Sequence, residues 1–237
     1  MTATVVGVMD SDSWTANTDN VVVVDGKRRR LVWVPRDLWS DVVGDRINAA
    51  FASGGHDLLQ AAVREHGFRA ESSVVLLRSG VEGALEGLRV TVPVDRTRRY
   101  WYPLAPTLRI EDGRKLVVFD PPSETLSGER IHQWVGARRS ADVPPPTLPD
   151  LDRIERQQVL VRTLLQDGFA FAKTLEDPAL ASIAGSGALD VLGAVRAAWH
   201  FETFRRFEPA TVEGKMVLLS LRRRLLPSRG RPWRVVR

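Results

Sequence analysis

Along the first third of the chain, short apolar blocks alternate with polar, turn-forming stretches. Thr2 to Met9 reads as a short strand and Asp10 to Asn20 as a polar connection. The next block, VVVVDGKRRRLVWVP, sets Asp25-Gly26 between two apolar runs, a β-hairpin signal. A two-residue turn would put arginines opposite valines. A loop from Asp25 to Arg29 instead pairs Val23 with Leu31 and Val21 with Trp33, keeping one face of both strands apolar. That register leaves Lys27, Arg28 and Arg29 at an exposed tip.

The pattern then changes period. Pro35 suits the first turn of a helix, and Leu38, Trp39, Val42, Val43, Ile47, Ala50 and Phe51 recur at helical spacing until Gly54-Gly55. A second amphipathic helix is expected from about Asp57 to His66, a strand from Ser72 to Arg78, and a short helix or turn from Val81 to Leu88.

The densest β-type stretch is Arg89 to Pro122, with a second Asp-Gly turn at Asp112-Gly113. A loop from Asp112 to Lys115 sets Ile110 against Val117 and Leu108 against Phe119, with Arg114 and Lys115 at the tip. Alternation puts Tyr100 and Tyr102 on one face and turns Trp101 the other way, toward the core. Glu129 to Val135 offers one more helical turn.

Ala137 to Pro149, ARRSADVPPPTLP, is the clearest break, because three consecutive prolines fit neither a helix interior nor a paired strand. Beyond it the periodicity is helical. Asp150 or Asp152 caps a helix with Leu151, Ile154, Val161, Leu165, Ala172 and Leu175 on one face. Further helices are expected from about Ala188 to Phe207 and from Val212 to Leu226. The fold class that follows is α+β. A mixed domain of sheet, hairpins and packed helices covers residues 1–136, a proline-rich linker 137–149, and a smaller helical domain with a basic tail 150–237.

Composition narrows the chemistry. At 237 residues the chain can bury a full core, and without cysteine it can form neither disulfides nor thiolate metal sites. No uninterrupted apolar run reaches the length of a membrane span, and the opening residues lack the basic region of an export signal. A cytoplasmic location with no membrane partner is the resulting expectation. Charge is unevenly placed: ten cations and two anions lie after Phe204, against 24 and 27 before it. The basic excess therefore belongs to the last thirty-three residues.

Among candidate sites, Asp10, Asp12, Asp25 and Lys27 have the outline of a PD-(D/E)xK nuclease core, in which carboxylates hold a divalent ion and a lysine steadies the phosphate. The same VVVVDGK is also accounted for by a turn. The four histidines show no close ligand spacing, and phosphate-loop and serine-hydrolase motifs are absent. No metal site or cofactor is expected. Arg222, Arg223 and Arg224, followed by Arg229, Arg231, Trp233, Arg234 and Arg237, suit phosphate contacts that do not read sequence. Arg98, Arg99 and Trp101 could add to them. The expected function is a non-enzymatic nucleic-acid-binding accessory protein of mobile-element, defence or recombination machinery, with DNA or RNA as partner and protein partners in a larger assembly. A metal-dependent nuclease or phosphodiesterase and a scaffold protein are the alternatives.

Overall fold

The structure, a computed structural model, describes residues 3–105, 108–143, 149–166, 177–185, 191–196, 198, 200–205, 207–212 and 215–220. Its centre is a six-stranded sheet. Strands β1 (Ala3–Met9), β2 (Thr18–Asp25) and β3 (Arg30–Val34) form an antiparallel meander, and β6 (Ala70–Leu76) lies parallel to β1. Two later strands close its flanks. β12 (Ala181–Ala184) pairs with β6, and β13 (His200–Thr203) pairs in parallel with β3, giving the order β12-β6-β1-β2-β3-β13. Strands from both sides of residues 137–149 thus share one sheet. The fold is α+β.

The valine run explains why this sheet lies in the middle. Val21, Val23, Val32 and Val34 point into a cluster with Leu38, Ile47, Leu59 and Val63. Their neighbours Val24, Leu31 and Trp33 point to the opposite face, against Ile154, Ala181 and Val191. A strand that is apolar at consecutive positions is one buried on both faces. The first face is covered by α1 (Ala50–Glu65), the second by α4 (Pro149–Gln166) and the short helix Val191–Arg196.

A second body of sheet packs beside it. β7 (Arg89–Pro93) pairs with β10 (Ser123–Ser127), and β8 (Arg98–Pro103) lies between β9 (Arg114–Phe119) and β11 (Arg139–Ser140). With α3 (Glu129–Gly136) and the Leu160 and Leu164 side of α4, they enclose Val92, Phe119, Leu126 and Trp134. α2 (Arg78–Leu85) follows β6 directly.

Several expectations need correction. The β2–β3 register is one residue tighter than expected: Val24 faces Leu31 and Val22 faces Trp33, closed by Asp25 opposite Arg30. β9 pairs with β8, so Tyr100, and not Ile110, faces Val117. Tyr100 is buried and Tyr102 packs on the same core, while Trp101 lies on the other face under the Arg114 guanidinium.

The helix expected over residues 38–51 is a small hairpin, β4 (Trp39–Ser40) and β5 (Asp45–Arg46), followed by a 3-10 turn. Leu38, Ile47, Ala50 and Phe51 still face the core, whereas Val42 is exposed. The backbone is freed from helix because Glu65 accepts from the Asp41 amide at 3.0 Å and the Ser40 hydroxyl at 2.7 Å. Gly54 and Gly55 are both non-helical, so within the span Ala50–Glu65 a short first turn of helix ends there, as expected, and a second helix runs on to Glu65.

Past the prolines, the purely helical expectation gives way to strands. Besides β12 and β13 there is the hairpin of β14 (Phe207–Val212) and β15 (Lys215–Ser220). Pairing with β3 and stacking of Phe201 on Trp33 override a periodicity that short apolar runs leave ambiguous. Ala172, Leu175 and the whole of Arg222 to Arg237 fall outside the described residues.

Candidate functional site

Strand direction alone gathers charge at one edge of the central sheet. β1, β3 and β6 end there and β2 begins there, which brings Asp10, Asp19, Arg36, Asp37 and Arg78 to the same rim. The second body of the fold supplies Arg138, just past the end of α3, and Asp150 and Arg153 from the first turn of α4.

These side chains interlock. Asp19 receives Nη1 of both Arg36 and Arg153, one on each carboxylate oxygen. Arg153 also donates to the Asp19 carbonyl at 3.0 Å and to Asp150 at 2.7 Å. Asp150 accepts the Arg36 amide at 3.2 Å, which ties the turn after β3 to α4. Asp37 lies 3.4 Å from both Arg46 and Arg138. Burial is graded: the Arg153 side chain is 2% exposed and forms the floor, whereas that of Arg138 is 33% exposed and reaches the rim.

Within the interlocked cluster four guanidiniums, Arg36, Arg46, Arg138 and Arg153, meet three carboxylates, Asp19, Asp37 and Asp150, while Arg78, Asp10 and Asp12 at the same rim bring the signs level. Burial acts to raise the Asp19 pKa, but Arg153 and Arg36 outweigh it and hold the carboxyl below its usual range. Arg138 is shifted down, first by burial and then by the like charges of Arg36 and Arg153. A guanidinium disfavoured by its own kind gains most from a bound oxyanion. Arg36 and Arg153 each keep a buried Nε–H without a hydrogen-bond acceptor among the described residues. Asp10, opposite Asp19, is shifted up by burial and by that neighbouring carboxylate.

The residues singled out from the sequence divide. Asp10 and Asp12 reach this rim, where Asp12 accepts the Ser79 amide at 2.6 Å near the start of α2. Asp25 and Lys27 do not: they lie at the other end of β2, roughly 23 Å away at about 3.3 Å per residue. The nuclease constellation is therefore not assembled. Asp25 is held by its own turn, through the Arg28 amide at 3.1 Å and the Arg28 and Arg30 guanidiniums. A cavity of about 240 Å³ opens there, lined by Lys27, Arg28, Arg30 and Arg69 among others. Its one carboxylate is already committed to that turn.

Arg98 is buried against Asp152 at 2.6 Å and Asp95 at 2.7 Å, so it presents no surface to a nucleic acid. Arg99 is half-exposed beside Asp142, and Arg114 covers Trp101. The C-terminal candidates Arg222, Arg223, Arg224, Arg229, Arg231, Trp233, Arg234 and Arg237 lie outside the described residues.

Sequence reading missed Asp19, Arg36, Asp37, Arg138 and Arg153, and treated Asp150 only as a cap. Among the described residues no group of three or more His, Cys, Asp or Glu side chains is placed to hold a metal ion, and no helix is long and apolar enough to cross a membrane.

Comparison with known proteins overturns the nucleic-acid expectation. The regulatory protein MsrR of Staphylococcus aureus is 24% identical over 192 residues, 76% of this chain and 52% of that protein. The chain thus spans about half the length of the curated relatives it matches. Two solved structures share the fold. TagT bound to LI-WTA superposes with a TM-score of 0.62 at 18% identity, over 94% of this chain and 86% of that one. A transcriptional regulator from Enterococcus faecalis gives 0.61 at 16%, over 92% and 81%. With the family match, they displace the DNA or RNA partner and the accessory role expected from the basic tail, together with the nuclease and scaffold alternatives. The LytR_cpsA_psr family model matches residues 1–186, well over half of the sequence, and the chain belongs to that family.

Proposed function

We propose that this protein is a phosphotransferase that attaches a phosphate-linked envelope polymer of the wall teichoic acid type to the cell wall. The observation that carries the reading is the convergence of Arg36, Arg138 and Arg153, from three separate segments, on one rim where Arg36 and Arg153 each keep a buried Nε–H without an acceptor among the described residues. The family and the LI-WTA bound to TagT supply the class of substrate.

The chemistry suits the residues. In phosphoryl transfer the protein mainly positions the phosphate and stabilises charge on its oxygens, and planar guanidinium forks do both. A hydroxyl oxygen of the acceptor attacks phosphorus, and the bond from phosphorus to the leaving oxygen breaks with its electron pair. Arg36, Arg138 and Arg153 take up the negative charge, with Asp19, Asp37 and Asp150 fixing their directions. Asp10, its proton affinity raised by burial and by Asp19, is placed to accept the hydroxyl proton. Work of this kind belongs at the cell envelope, and fractionation of cells would locate the protein there.

The test is direct. Labelled LI-WTA is incubated with purified cell wall and the protein, and wall-bound label is counted. Transfer by the wild type that falls at least about a hundredfold in Arg36→Gln, as for removal of a stabilising donor, is the expected result. Equal transfer by both would refute the reading.

A further inference from the structure

The site guanidiniums are held very unequally. Arg153 is locked by Asp19 and Asp150, but the Arg138 side chain has only looser contacts, at 3.4 Å to Asp37 and 3.9 Å to Asp150. Where the Arg138 charge sits is therefore decided by its backbone, which leaves α3 at Ala137. The β11 pairing of Arg139 with Trp101 fixes the chain beyond that point, and one buried side chain fixes it before. Arg156, fully buried on α4 and one turn beyond Arg153, donates Nη1 to the Trp134 carbonyl and Nη2 to the Ala137 carbonyl, with a longer contact to Gln133 at 3.4 Å.

The carbonyls of a helix's last turn have no intrahelical donor, so Arg156 supplies what the end of α3 lacks and places a cation where the helix dipole favours it. The tie is reciprocal. Trp134 Nε1 donates to the Arg156 carbonyl at 2.7 Å, and Gln157 Nε2 to the Val135 carbonyl at 3.1 Å. The guanidinium is itself fixed, over the Tyr100 ring at 4.4 Å and 3.5 Å from Asp152, which Arg98 holds in turn.

We infer that Arg156 is a positioning residue that sets the spacing between Arg138, just past α3, and Arg153 on α4, making two guanidiniums from separate segments act as one oxyanion clamp. It touches no substrate and acts through the backbone on either side of it. This rests on the proposed phosphate-handling role of the rim.

Calorimetric titration with inorganic pyrophosphate tests it, using wild type, Arg138→Gln, Arg156→Lys and the double variant. Lysine keeps the charge but has no planar fork to span two carbonyls. Arg156→Lys should weaken pyrophosphate binding about tenfold, within the range that small misplacements at a distance produce. The two changes should also be non-additive, because Arg138→Gln has less to lose once the spacing is gone. Wild-type affinity in Arg156→Lys, or strict additivity with Arg138→Gln, overturns the inference and leaves the proposed function standing. No binding by the wild type overturns both. Should Arg156→Lys fail to fold, Trp134→Phe removes only the indole donor to the Arg156 carbonyl and takes its place, with a smaller loss expected and the same additivity criterion.

Discussion

The two ends of the central sheet carry similar residues and behave differently. At the far end Asp25 is paired with Arg28 and Arg30, three and five residues along the same turn. At the near end Asp19 is paired with Arg36 and with Arg153, 134 residues away, and Asp37 with Arg138, 101 residues away. The first arrangement closes a hairpin and would form in almost any hairpin of that sequence. The second exists only when three segments have folded onto one another. Composition does not distinguish a structural ion pair from a site. The number of separate segments whose guanidiniums converge on one carboxylate does: two for Asp19, and only its own turn for Asp25.

The largest expected break in this comparison is Arg153→Met. It leaves the buried Asp150 carboxylate without its near guanidinium and Asp19 with Arg36 alone, and should cost about 3–5 kcal/mol of stability, measured by urea unfolding. Asp25→Asn at the far end should cost less than about 1 kcal/mol. The Arg28 guanidinium that it loses is mostly exposed, and the asparagine oxygen can still accept the Arg28 amide. Comparable losses at both ends would erase the distinction.

A finer contrast lies within the near end, where two facing carboxylates have opposite signs. Asp19 has a depressed pKa, so the stability it contributes is present above its unfolded value near 3.8 and is lost as pH falls through the lower folded value. Asp10 has a raised pKa, so its ionisation weakens the fold increasingly as pH rises from about 3.8 to its folded value. Asp10→Asn should therefore be slightly more stable than wild type at pH 7, by less than about 1 kcal/mol, and indistinguishable from it at pH 3. Thermal melts across that range read the difference. A destabilised Asp10→Asn at pH 7 would mean that Asp10 is held by cations as Asp19 is.

Much of the fold could be read from the sequence, and little of the site. Alternation and the Asp-Gly turn located β1, β2, β3 and β6, and helical period located α3 and the start of α4, because those signals are local. The hairpin at Trp39 to Arg46 and the strands after residue 180 escaped, since their partners are remote: Glu65 for the first, β3 and β6 for the others. The site residues were hidden in the same way. Arg36 and Asp37 follow a proline and resemble a helix start. Arg138 falls in what reads as a linker, and Arg153 on what reads as the solvent face of a helix but is buried. The usable signal was charge at strand ends, where Asp19 stands just before the valine run and Arg36-Asp37 follow the end of the next strand.

The claim that the near end is an oxyanion site and the far end is not can be put to a single titration with inorganic pyrophosphate. Wild type and a Lys27→Gln, Arg28→Gln double variant should bind with the same affinity, while Arg36→Gln and Arg138→Gln should each lose tenfold or more, about 1.4 kcal/mol. Loss of binding in the far-end variant, with Arg36→Gln unaffected, would contradict the account.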